Sequence, residues 1–151
     1  MHIPYQFLLV IHISAAAVTL GASTGLLRNL RRTLAAGKQA FALAAEDAQR
    51  RGKIMGVSAF MVLWTGLALI FVRGGFAAVP VPIHIALTVM LAAFAVSITI
   101  MRPTSAQIVA LSQAEPLDQG AISKKLKKLA MGQGILHFCW ILMLLLMIVR
   151  P

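Results

Sequence analysis

Four uncharged, apolar stretches, each about as long as a lipid bilayer is thick, constrain this chain more than any other feature of its sequence. They run approximately from Pro4 to Leu27, Ile54 to Val72, Pro82 to Met101 and Met131 to Val149, and none contains Asp, Glu, Lys or Arg. A spanning helix needs about 20 mainly apolar residues, because the hydrocarbon core is roughly 30 Å thick and each helical residue rises roughly 1.5 Å. In 151 residues that are 60% hydrophobic and 12% charged, four spans leave no room for a second domain. The predicted fold is an all-α, integral membrane four-helix antiparallel bundle over residues 1–151.

The net charge of +10 acquires its meaning from where the basic residues stand. Arg28, Arg31, Arg32, Lys38, Arg50, Arg51 and Lys53 separate the first two spans, and Arg102, Lys124, Lys125, Lys127 and Lys128 separate the last two, together twelve of the fourteen. Only Arg73 and Arg150 fall on the other side, so the positive-inside rule places both long loops in the cytoplasm and both termini outside, as in a multi-pass protein of a bacterial-type inner membrane. The charge is thus a topology signal and not a nucleic-acid footprint. The first span has no basic n-region and exceeds a signal-peptide h-region, so it reads as retained. One cysteine, Cys139, excludes an intrachain disulfide and a Cys-based zinc site, and reads as a small buried residue.

The helices are predicted to continue past the bilayer. Residues 33–52 are rich in good helix formers, with Gly37 as the stop after the first helix. The third helix runs on from Thr104 to Ala114, residues 115–120 form a turn, and a helix restarts over Ile122 to Lys128. Gly21 with Gly25, and Gly52 with Gly56, form two GxxxG pairs, which predict close helix packing within the chain or, as the alternative, a homodimer or a larger membrane complex.

Ionisable residues inside a membrane are costly, so His12, His84 and His137 are the candidate site residues, while His2 reads as a solvated terminal residue. His12 shares a helical face with Ala15, Ala16, Thr19 and Ser23, a small-sided stripe that leaves room for a flat macrocycle such as haem or serves close packing. His137 shares its face with Gln133, Gly134, Trp140 and Ile141. At roughly 1.5 Å per residue, His12 lies about 5 Å outward of the midplane, His84 about 11 Å outward and His137 about 4 Å inward. Depth therefore pairs His12 with His84 best, and with His137 next, as two axial ligands of one haem iron. No carboxylate lies in a span, which argues against hydrolysis and ion-coupled transport, and the eight methionines are scattered without a tight cluster for Cu(I).

The stretches FLLVIHISAAAVTLGASTGLLR and RRGKIMGVSAFMVLWTGLAL, a third span opening PIHIALTV and the ending MIVRP resemble the HemJ-type membrane protoporphyrinogen oxidases and their CopD-like relatives. The similarity covers nearly the whole chain. It implies haem b, with His12 at the position of the family's first-span histidine. Where that family carries an essential lysine near the start of the third span, this chain has His84 or Ala86, and the resemblance then offers His84 as a second axial ligand. Three functions follow as expectations. The first is a membrane oxidoreductase or electron-transfer protein working on a porphyrin or a quinone, the second a CopD-like copper or small-molecule transport protein, and the third a cofactor-free accessory subunit.

Overall fold

The computed structural model describes the backbone of residues 2–148 and the side chains of residues 4–148. The readings of the His2 side chain, of Arg150 and of the last residue of the fourth span lie outside these described residues. The elements are α1 (His2–Ser23), α2 (Leu26–Ala36), α3 (Lys38–Val72), a 3₁₀ turn (Phe76–Ala78), α4 (Val81–Val96), a π-helical turn (Ser97–Met101), α5 (Arg102–Gln113) and α6 (Gln119–Ile148). They form four rods of 33, 35, 33 and 30 residues, each apolar enough to cross a membrane. At about 1.5 Å per residue the rods reach roughly 45–50 Å, longer than a hydrocarbon core of roughly 30 Å. The surplus lies where the basic residues are, so the expected helical extensions are present.

Local chemistry sets the joints. Gly37, at φ 117°, separates α2 from α3 as expected. The first span is not one uninterrupted helix, however. It breaks at Thr24–Gly25, where Gly25 takes the left-handed conformation (φ 74°), which glycine adopts without the steric cost that a Cβ brings. The fourth helix starts at Gln119, earlier than the expected Ile122, because Asp118 Oδ1 accepts the Ala121 backbone N–H at 2.9 Å and caps it. The third rod contains Pro103, which cannot donate to the carbonyl four residues before it. The helix widens ahead of that proline, and Arg102 N–H bonds the Ser97 carbonyl five residues back.

The exterior, unlike that of a soluble domain, is rich in large apolar side chains. Phe7, Val10, Ile13, Phe60, Trp64, Phe71, Phe138 and Ile141 are exposed, Phe138 by 67%. So large an apolar exterior needs lipid around it. Inside are two apolar cores. One, at the end carrying the basic loops, joins Leu30, Phe41, Ala45, Ile108, Ile122, Leu126 and Leu129. The other, toward the termini, joins Ala15, Val62, Ala86, Met90, Trp140 and Met143. A polar waist lies between them. Thr19 donates to Ser58 Oγ at 2.8 Å, and Gln133 Nε2 donates to the Ser23 carbonyl at 2.6 Å.

At the basic end α2, α3, α5 and α6 all pack together, whereas toward the termini α1 packs on α3 and α4 on α6, with little contact between α3 and α4. The bundle is closed at one end and divided into two helix pairs at the other. The two GxxxG pairs do not make close backbone contacts within the chain. A Cβ at Gly21, Gly25 or Gly52 would meet nothing within 4 Å, and at Gly56 it would meet only Arg102 Nη2 at 3.4 Å. The close approaches are at Gly66 and at Gly132, where a Cβ would lie 2.7 Å from Met101 Sδ.

Candidate functional site

Among the three intramembrane histidines only His12 is buried, at 8% exposure. Its helical neighbours Ala15, Thr19 and Ser23 are buried with it, so the stripe read from the sequence is the face that α1 turns inward. His12 Nδ1 lies 2.9 Å from Thr65 Oγ1 on α3. The Thr65 hydroxyl donates its one proton to the Met61 carbonyl at 2.6 Å, so it accepts from the imidazole. In that arrangement Nδ1 carries the ring proton and Nε2 keeps its lone pair. A histidine fixed through one nitrogen presents the other to a metal or a donor. The missing side chain at Gly66 makes the seat, since a Cβ there would stand 3.2 Å from His12 Cε1.

His12 lines a cavity of about 500 Å³ between the two helix pairs, toward the termini. That volume falls within the range of roughly 300–1,000 Å³ typical of small-molecule sites. Its walls are mainly apolar, including Leu9, Val62, Leu67, Ile70, Ala86 and Leu87. Tyr5 and the exposed Arg73 supply polar groups. Arg73 donates to the Tyr5 hydroxyl, and its guanidinium carbon lies 5.1 Å from the centre of the Tyr5 ring. A cation thus stands on the wall of an apolar chamber, held by an aromatic partner.

The other two candidates stand elsewhere. His84 is exposed, its ring 6.2 Å from that of Phe76, and it does not line the chamber, although Ile83 and Ala86 on the same helix do. Depth alone paired it with His12, but its direction around α4 points it away. His137 is half-buried, with Nε2 2.8 Å from Ser23 Oγ. Ser23 donates to the Leu20 carbonyl at 2.7 Å, so His137 donates to Ser23 and belongs to the polar waist. The structure therefore gives His12, His84 and His137 three separate environments.

Sequence spacing missed the sulfur. Met90, Met143 and Met147, on two helices, line the same chamber as His12, with Met90 and Met143 buried. They are far apart in the chain, so no local motif signals their convergence. Among the described residues no group of three or more His, Cys, Asp or Glu side chains converges on a metal-sized site. The acidic residues stand at the basic end, where Asp47 pairs with Arg51 at 2.8 Å and Glu115 with Lys38 at 2.7 Å. No protein-family model, no curated protein and no solved structure matches this chain.

Proposed function

We propose that the chain is a haem-b-binding membrane redox protein whose chamber toward the termini holds the macrocycle, with His12 as an axial ligand. The observation carrying this reading is the buried imidazole of His12, its Nδ1 2.9 Å from Thr65 Oγ1, on the wall of an apolar cavity of about 500 Å³. The donor chemistry fits: an imidazole and a thioether are a recognised axial pair, and Met90 and Met143 are the thioethers buried on the same chamber. Arg73 supplies the positive charge that a carboxylate-bearing ring requires at its polar edge. Once bound, haem supplies a one-electron couple. The chain's own residues orient the imidazole, exclude water through the apolar wall, and leave the lipid-facing exterior for a membrane-dissolved partner such as a quinone or a porphyrin.

The purified chain, reconstituted with haem in detergent, should show a Soret band and reducible alpha and beta bands. His12→Ala should abolish or strongly reduce them while leaving helix content and membrane insertion intact. An unshifted spectrum in His12→Ala, or no haem uptake by the unmodified protein, overturns the reading. The thioethers of Met90 and Met143 on the same chamber as His12 favour a second reading, a Cu(I) site in the manner of the CopD-like resemblance. Stoichiometric copper by elemental analysis, together with failure to take up haem, would establish that one instead.

A further inference from the structure

A second cavity, of about 400 Å³, lies at the basic end and is independent of the His12 chamber. Its lining comes from all four rods, and its polar members are Ser23, Gln49, Lys53, Ser97, Arg102, Ser105 and Gln133. Lys53 and Arg102 have no carboxylate partner among the described residues. Gln133 is 6% exposed, and although its Nε2 is bonded to the Ser23 carbonyl, its Oε1 has no partner among the described residues. A buried carbonyl oxygen without a donor is costly, so the cavity is chemically incomplete. It offers two exposed cations without ion-pair partners among the described residues and one buried acceptor that needs a donor.

The helix is shaped to make this site. In an α-helix residues five apart are turned from each other by about 140°, so Ser97 and Arg102 would face different ways. The π turn, closed by the Arg102 N–H to Ser97 carbonyl bond, stacks them on one face. Gly56, whose added Cβ would lie 3.4 Å from Arg102 Nη2, leaves room for the guanidinium against α3, and Gly52 opens the cavity one turn earlier. The second GxxxG pair thus lies beside a chamber and not at a helix contact.

We propose that this cavity binds the headgroup of an anionic glycerophospholipid, its phosphate between Lys53 and Arg102 and a headgroup hydroxyl donating toward Gln133. Basic pockets between spans on the side of the basic loops recognise such headgroups, and the lipid-exposed exterior of the bundle gives the acyl chains a place to lie. A soluble phosphate ester shares the headgroup chemistry but makes no use of that exterior.

The test is lipid retention by the purified full chain in native mass spectrometry, comparing phosphatidylglycerol with phosphatidylcholine. The unmodified protein should retain phosphatidylglycerol preferentially. Combined Lys53→Gln and Arg102→Gln should reduce that retention by roughly tenfold or more, and Gly52→Leu, which fills the cavity without changing charge, should do the same with helix content unchanged. Lys124→Gln with Lys128→Gln, an equal loss of charge away from the cavity, should leave retention near its original level. Equal retention of the two lipids, or an equal drop in the Lys124 and Lys128 control, overturns the proposal. Displacement of the lipid by millimolar glycerol 3-phosphate would overturn the lipid assignment in favour of a soluble phosphate ester.

Discussion

His12 on α1 and Thr65 on α3 are joined through Nδ1 and Oγ1 at 2.9 Å, so the orientation of this buried histidine is set by a different helix. Hydrogen bonds between membrane helices contribute only about 0.6 kcal/mol on average and about 1.7 at most. This one is too weak to hold the bundle together and strong enough to fix a ring. Thr65→Val should therefore cost less than about 2 kcal/mol of stability while lowering haem affinity by roughly 10–100-fold, the usual effect of losing a ligand's outer partner. Thermal unfolding in detergent and a haem titration measure the two separately. A fall in stability with unchanged affinity would make the contact merely structural.

Gly66 tests the same seat from the other side. An alanine there improves helix propensity by about 1 kcal/mol, but its Cβ would stand 3.2 Å from His12 Cε1. With Nδ1 still held by Thr65, the ring has to tilt by a few tenths of an ångström. Gly66→Ala should keep the melting temperature within a few degrees and shift or weaken the haem spectrum. Identical spectra would show that His12 does not face the bound group.

At the basic end, Lys38 lowers the pKa of Glu115, first through its hydrogen bond and then through its charge. A carboxylate lowered in the folded state stabilises it above the unfolded pKa, and that contribution is lost as pH falls through the folded value. The Lys38–Glu115 tie should accordingly survive mild acid and loosen only below the ordinary carboxylate range. Carboxyl chemical shifts followed against pH should show Glu115 titrating below its ordinary value, returning upward in Lys38→Gln. No difference between the two proteins would remove the pair as an ordering contact.

Orientation is checked at the chain end. With twelve of the fourteen basic residues in two loops, a reporter fused after Pro151 should be active only in a form that works outside the cytoplasm. Activity of a cytoplasm-dependent reporter at that position would invert the bundle.

The sequence made plain what depends on hydrophobicity and period. The four spans, the stop at Gly37, the helical extensions and the inward stripe His12–Ala15–Thr19–Ser23 all carry local signals, and the structure has each of them. Direction around a helix is harder to read when the helix is apolar on every side, because lipid-facing and core-facing residues are then chemically alike. The depth of His84 is a coordinate along the axis only, and its outward direction leaves no mark in PIHIALTV. Met90 and Met143 meet His12 only through tertiary folding. The π turn had a signal in Pro103, but a proline inside a helical pattern announces a kink without saying which residues it realigns.

The unequal packing of the two ends has a mechanical consequence. Four rods joined at the basic end around Phe41, Ile108 and Ile122 have the geometry of levers, because toward the termini α3 and α4 make little backbone contact and meet mainly through side chains. Over a lever arm of about 35 Å, a rotation of about 5° displaces the free ends by about 3 Å. That is roughly the thickness of one aromatic ring. A rotation of that size would be enough to pass a flat molecule sideways from the lipid into the space beside His12, at the expense of the packing among Val62, Ala86, Met90 and Met143.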